Sequence, residues 1–271
     1  MENDGSVIDK YFLTPMSLIK TLIKSKTIHS MIWEGPPGSG KTYTTVETLK
    51  KLRTEFCVIA GYVTALSLHK LLFRHKENSV VVVDDVDSVF ENNFCKGLLL
   101  AALSTTTKRT MNYLSSTPKL EDVPQEYDFE SKIIFLVNEF PRELKNIKSR
   151  SFFYKTNFSP EEREQVLMEI GRINKIPHEV TQFVVENSSQ IDLRLPLKIH
   201  DLYLHNKNWQ ELALQVMEVN DTLYRALKIM KSTEPVSEQV EEFQKVGLGS
   251  RRTYFNWKNK YLDGNAKVQT K

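Results

Sequence analysis

Apolar positions in the first 156 residues gather into five short, nearly unbroken runs. They are His29-Ser30-Met31-Ile32-Trp33-Glu34, Phe56-Cys57-Val58-Ile59-Ala60, Val80-Val81-Val82-Val83, Ile133-Ile134-Phe135-Leu136-Val137 and Phe152-Phe153-Tyr154. Helical patterns lie between most of them, notably 42–52, 65–76 and 94–103. Continuous β-rich runs alternating with helices predict a parallel sheet buried on both faces, and so an α/β core in three αβα layers. Ahead of the first run, Thr14-Pro15 opens an expected amphipathic helix over Leu18, Ile19, Leu22 and Ile23. The stretch 104–130 breaks the pattern: it is polar, holds Pro118 and Pro124, and exceeds an ordinary connection. A hairpin around Arg109–Leu114, projecting from the sheet edge, is the expectation there.

After Thr156 the pattern turns helical. Ser159 is placed to cap a helix, with Pro160 at its first position and Glu162 completing a capping box. Helical periodicity continues to about Lys231, broken near Pro177, Ser188-Ser189 and Asn206, and Glu234-Pro235 marks a further boundary. The expected division is a nucleotide-binding core at 1–157, an all-helical domain at 158–231 and a small helical module at 232–271.

Between the first run and its helix stands Gly35-Pro36-Pro37-Gly38-Ser39-Gly40-Lys41-Thr42, which fits G-x-x-x-x-G-K-[ST]. Gly38 and Gly40 let the backbone curl so that successive N–H groups face phosphate oxygens. Lys41 then reaches the β- and γ-phosphates, and the Thr42 hydroxyl takes one position on Mg²⁺. A Gly/Pro turn that matches by chance is the alternative, and the strand–loop–helix setting argues against it.

Val80–Val83 runs into Asp84-Asp85, a buried strand ending in two carboxylates beside that loop. Asp84 suits Mg²⁺ held through water, and Asp85 suits orienting or deprotonating the attacking water. An acidic turn is the alternative. Asn138 ends the fourth run, where an amide contacts the γ-phosphate or polarises the water, or merely sits in a turn. Ser149-Arg150 precedes the fifth run; Arg150 is either a solvated side chain or one that reaches a neighbouring subunit's triphosphate.

These elements, in this order and with Asp192-Leu193-Arg194 in the helical domain, resemble the AAA+ ATPases over roughly residues 15–205, and the layout is similar to small AAA ATPases encoded by bacteriophages. The resemblance implies a five-stranded core of order 5-1-4-3-2 with a helical lid. It also implies that Asn138 is the first sensor, Arg150 the arginine finger acting in trans and Arg194 the second sensor acting in cis. Two departures stand out. The family has Glu where this chain has Asp85, one methylene shorter, which predicts looser water positioning and slow intrinsic hydrolysis. An aromatic pore loop is not clear either, with Gly61-Tyr62-Val63 the nearest candidate.

Composition changes little of this. Hydrophobic residues make up 40% and charged ones 26%, as in an ordinary soluble globular chain. No apolar run approaches a membrane span, and the polar start Met1-Glu2-Asn3-Asp4-Gly5 is unlike a signal peptide. Two cysteines without a His/Cys cluster suggest neither disulfides nor zinc, and a reducing cytosol (the host's, for a phage protein) is the default. A net charge of +3 does not by itself argue for nucleic acid.

The charge distribution does more, because 245–261 holds five basic residues and no acidic one. Val236–Val246 predicts a helix with Val236, Val240, Phe243 and Val246 on one side. Gly247-Leu248-Gly249 then turns, and Ser250 caps a helix whose Tyr254, Trp257 and Tyr261 share a face. This resembles a helix-turn-helix, with Arg251, Arg252 and Asn256 suited to bases and Lys258 and Lys260 to phosphates. An amphipathic hairpin packed on the lid is the alternative. The combined expectation is a homo-oligomeric, MgATP-hydrolysing AAA+ ATPase that acts on DNA in replication, transposition or partition. A protein-remodelling ATPase with an adaptor-binding tail, and a scaffold that binds ATP with little turnover, stay open.

Overall fold

The structure is a computed structural model that describes residues 7–106, 108–114, 122–188, 191–217, 221–259 and 262. The polar start, Pro118, Ser189, Lys260 and Tyr261 lie outside them. The chain divides into two compact units, one of residues 1–169 with 191–193, the other of 170–190 with 194–271.

The first unit runs α1 (Val7–Lys24), β1 (Ser30–Glu34), α2 (Lys41–Lys51), β2 (Glu55–Ala60), α3 (Ala65–Arg74), β3 (Ser79–Asp84), α4 (Asp87–Glu91), α5 (Asn93–Ala102), β4 (Thr110–Asn112), β5 (Glu126–Asp128), β6 (Lys132–Val137), α6 (Lys145–Lys148) and β7 (Ser151–Lys155). Five strands form a parallel sheet in the order β2-β3-β6-β1-β7, the expected 5-1-4-3-2 order read from the other edge. The apolar runs are continuous because both sheet faces are covered. Ile32, Val81, Val83, Ile133 and Phe135 pack with α3, α4 and α5 through Leu68, Leu72, Val89, Leu98 and Leu99. The alternate residues Met31, Trp33, Val80, Val82, Ile134 and Leu136 pack on the opposite side with Phe12, Ile19 and Leu22 of α1 and Leu49 of α2. Strand period two thus divides each run between two cores.

Two expectations change. Helix α1 does not open at Thr14-Pro15; it is already formed from Val7 and carries Pro15 inside. Proline removes one hydrogen bond from a helix interior, and here Phe12 and Ile19 are buried on both sides of it, so tertiary packing offsets the loss. The 104–130 stretch does form a hairpin, with Met111 opposite Tyr127 across β4 and β5. Instead of projecting, its Met111, Val123, Tyr127 and Phe129 are buried in the same core as the sheet. Arg109, 6% exposed, anchors its base by donating to the carbonyls of Ala102 (2.8 Å) and Ser131 (3.0 Å).

Helix α7 (Pro160–Ile173) starts with the expected capping box: Ser159 N–H donates to Glu162 (2.9 Å) and Glu162 N–H to Ser159 Oγ (3.2 Å). The second unit continues through α8 (His178–Asn187), α9 (Leu195–His205), α10 (Trp209–Val216), α11 (Asp221–Met230), α12 (Val236–Lys245) and α13 (Arg251–Lys258). Its last three helices share a core of Ala226, Ile229, Met230, Val240, Phe243 and Tyr254. Gln239, 5% exposed, donates to the carbonyls of Ser232 and Glu234 and accepts from Tyr254 Oη–H, fastening the three helices together.

Candidate active site

The loop that follows β1 rises from the C-terminal end of the sheet. Gly38 (φ 72°) and Gly40 (φ 84°) adopt left-handed backbone that side-chain-bearing residues rarely take. Gly40 caps α2 without a side chain, so no protein group competes with an anion for the first helix amides there. Lys41 is 5% exposed, and its ammonium donates to Gly35 O (2.7 Å), Pro36 O (3.1 Å) and Asn138 Oδ1 (3.0 Å). Ser39 Oγ is buried with no hydrogen-bond partner among the described residues.

Strand pairing brings the other candidates to the same edge. Because β3 lies two places from β1, with β6 between them, Asp84 and Asn138 end up flanking the loop. The Thr42 hydroxyl meets both Asp84 carboxylate oxygens at 2.9 and 3.0 Å. Burial pushes the Asp84 carboxyl up; the Thr42 hydroxyl and Lys41 oppose this and Asp85 adds to it. Asp85 is exposed at φ 49°, a left-handed conformation that Asp tolerates better than most residues, with its N–H held by Leu136 O (2.9 Å). Lys41, Thr42, Asp84, Asp85 and Asn138 are therefore assembled.

Arg150 is not part of this cluster. Ser151 pairs with Ser30 at the far end of β1, whereas Lys155 pairs with Glu34 beside the loop. At about 3.3 Å per residue, Arg150 stands roughly 15 Å from the loop end of the sheet. Arg194 belongs to the second unit, at the start of α9. Segment 191–193, just before it in the chain, touches the loop: Leu193 N–H donates to Gly38 O (2.9 Å), and Asp192 lies against Gly38.

Two neighbours escaped the sequence reading. Glu34, 8% exposed, accepts from Phe140 N–H (3.2 Å) and from Lys155 (2.5 Å). Burial raises its carboxyl, but these two donors outweigh burial and hold it below the usual carboxylate range. Trp33 Nε1–H donates to Thr156 Oγ1 (2.7 Å), and Thr156 in turn packs against Gly35. The polar end of an apolar strand was the available signal for Glu34.

On α13, Arg251, Arg252 and Asn256 are exposed and Lys258 is half-buried. Arg251 lies over the Phe255 ring and Lys258 over the Tyr254 ring. Lys260 is outside the described residues. The expected apolar side of α12 is narrower than foreseen: Val240 and Phe243 are buried, but Val236 and Val246 are exposed because they stand at the helix ends, beyond the reach of α11 and α13. Tyr62 is 79% exposed after Gly61, and the neighbouring Val63 N–H bonds Ser88 Oγ (3.0 Å). Among the described residues no helix is long and apolar enough to cross a membrane.

Residues 31–146 match the model of the AAA family, the ATPase family associated with various cellular activities. The chain carries an AAA ATPase domain. Its match takes in the phosphate loop, the Asp84-Asp85 strand end and Asn138. Over 231 residues the chain is 28% identical to an uncharacterized 36.7 kDa protein from the nrdC–mobD intergenic region of enterobacteria phage T4, covering 73% of this chain and 71% of that protein. Among solved structures, the Thermotoga maritima RuvB Holliday junction branch migration motor is similar with a TM-score of 0.53 at 13% identity, over 91% of this chain and 86% of that one. Domain III of the replication initiation protein DnaA of the same organism is similar with a TM-score of 0.51 at 14% identity, over 80% and 98% respectively. At these identities the likeness is one of fold, and it is the fold of an AAA ATPase.

Proposed function

We propose that this AAA ATPase hydrolyses MgATP at sites shared between subunits of a homo-oligomer, and that its C-terminal module, 232–271, couples turnover to DNA. The observation that carries the reading is the preassembled pair of contacts Lys41–Asn138 and Thr42–Asp84 around a loop with two left-handed glycines. A buried Ser39 hydroxyl without a partner and an ammonium held by loop carbonyls fit a polyphosphate. Thr42 and Asp84 fit Mg²⁺, which when bound supplies charge neutralisation on the phosphate oxygens. Asn138 spends its Oδ1 on Lys41, which leaves its NH₂ to donate to the γ-phosphate or the attacking water. Asp85, exposed beside Asp84, accepts the water's proton. Arg194 acts from the helical lid, 158–231, on the nucleotide of its own subunit.

The length of β7 favours a role in trans for Arg150. An arginine at the far end of that strand does not serve the loop of its own subunit, and one inserted from a neighbour contributes roughly 10³–10⁵ in turnover where it operates. The exposed Arg251, Arg252 and Asn256, with the glycine turn before them, support duplex DNA as the partner. RuvB, a branch migration motor, and DnaA, a replication initiation protein, share the fold. The test is ATP turnover across protein concentration, with and without duplex and single-stranded DNA. Activity per subunit that rises with concentration and with DNA is expected; a rate indifferent to both refutes the shared site and the coupling. The exposed Tyr62 favours a second reading, remodelling of a polypeptide. Stimulation by an unfolded protein but not by DNA, abolished in Tyr62→Ala, selects it.

A further inference from the structure

The carboxylate of Glu34 stands where three parts of the ATPase site meet. Its own backbone precedes Gly35, so it forms the root of the phosphate loop. One carboxylate oxygen accepts from Phe140 N–H, two residues past Asn138. The other takes the Lys155 ammonium at the end of β7, and Lys148 adds further positive charge nearby. The ladder bonds of β6 stop at Val137, so the backbone that carries Asn138 is already outside the sheet. What steadies it on one side is the Asn138–Lys41 bond, and on the other the Glu34–Phe140 bond.

A carboxylate only 8% exposed is an expensive group to bury and is tolerated when it is paired and hydrogen-bonded. An apolar residue would fill the same volume at the end of β1 without that cost. The Lys155 head is 65% exposed, so the pair is anchored on the Glu34 side and reaches outward to β7. That strand begins directly after Arg150 and ends at the residues that touch the loop: Thr156 N–H donates to Glu34 O (2.8 Å), and the Thr156 side chain packs on Gly35.

We propose that Glu34 is a positioning residue of the ATPase, which sets the Asn138 turn and the β7 strand against the phosphate loop. It touches no phosphate and acts through Phe140 N–H and Lys155. The proposal rests on the roles read above for Asn138 and Arg150. A displacement of about 1 Å in a catalytic group lowers turnover by up to roughly 100-fold while binding survives. Loss of Glu34 therefore moves kcat rather than the affinity for ATP.

The experiment measures kcat, KM and the affinity for a fluorescent ATP analogue in full-length protein. Glu34→Gln keeps an acceptor for Phe140 N–H and loses the ion pair; Lys155→Met breaks the pair from its exposed side; Lys155→Arg keeps the charge. Glu34→Gln and Lys155→Met are expected to lower kcat about 10-fold or more with KM and analogue affinity within about 2-fold, and Lys155→Arg to restore most of it. In an Asn138→Ala background, Glu34→Gln is expected to add little, because both changes remove the same alignment. Unchanged kcat in Glu34→Gln and Lys155→Met overturns the proposal. So does a parallel fall of kcat, affinity and melting temperature, which marks a merely structural role. Arg150→Ala in the same assay keeps the readings apart: wild-type turnover there sinks the finger in trans, and the Glu34 outcome is judged on its own split between kcat and affinity.

Discussion

Replacing Gly38 by alanine perturbs the phosphate loop in two separable ways. At φ 72° an L-residue pays about 1–2 kcal/mol for left-handed backbone. The added methyl also lands 2.1 Å from Asp192 Oδ1, 2.6 Å from its Cγ and 3.1 Å from its Cα, so side-chain rotation alone does not clear it and segment 191–193 must move. That movement breaks the Leu193 N–H bond to Gly38 O, a loss of about 1 kcal/mol. Together the destabilisation is about 2–3 kcal/mol, or roughly 4–12 °C in the melting of the first unit. The assay is thermal unfolding with and without MgATP. Ligand at about 100 times its Kd stabilises the wild type by about 2.7 kcal/mol, and most of this gain disappears in Gly38→Ala because the loop amides no longer face the phosphates. Gly38→Ala with Asp192→Gly recovers the steric part and leaves the backbone part. A single variant that melts within about 1 °C of wild type and keeps its gain with ATP refutes the reasoning.

Acid should loosen the opposite end of the sheet. His29, buried near Arg109 and hydrogen-bonded to Lys132, is lowered from 6.5 to about 4 by burial and then by those two cations. It is neutral in the folded chain, so its contribution is complete above about pH 6.5 and is lost as pH falls towards 4, by roughly 3 kcal/mol. Urea unfolding at pH 7 and 4.5 measures this, and a His29→Asn variant that shows the same pH loss contradicts it. Tyr254→Phe strips the donor from buried Gln239 Oε1 and leaves that acceptor unpaired, a loss of about 1–3 kcal/mol. Hydrogen exchange across 236–258 should then quicken roughly 5- to 100-fold, and unchanged protection rejects the fastening role. Asp85→Asn should lower ATP turnover about 10²- to 10⁴-fold with little change in ATP affinity; a variant as fast as wild type removes Asp85 from the chemistry.

Local chemistry made much of this molecule legible before its structure. The phosphate loop, the paired acidic residues after β3 and the box of Ser159 and Glu162 each depend on spacing within a few residues, and all three stand as expected. The strand runs were equally plain, because a parallel strand buried on both faces needs apolar side chains at every position. Long-range pairings were not. Glu34 meets Lys155 across more than a hundred residues, and nothing near either residue announces the other. The hairpin was hidden for a related reason: polar residues dominate 104–130, and Met111 and Tyr127 enter the core only because β4 and β5 set them side by side. Proline misled at α1, where helix breaking gave way to the packing of Phe12 and Ile19.

Mixing two inactive variants tests the shared site most directly. Lys41→Ala removes the ammonium from the phosphate loop yet leaves Arg150 available; Arg150→Ala leaves the loop complete and withdraws the arginine. Each is expected to hydrolyse ATP far below wild type alone. Combined, they should regain a substantial fraction of wild-type turnover, because some interfaces then pair an intact loop with an intact arginine. Mixtures no faster than the sum of the two variants would contradict a site completed by the neighbouring subunit.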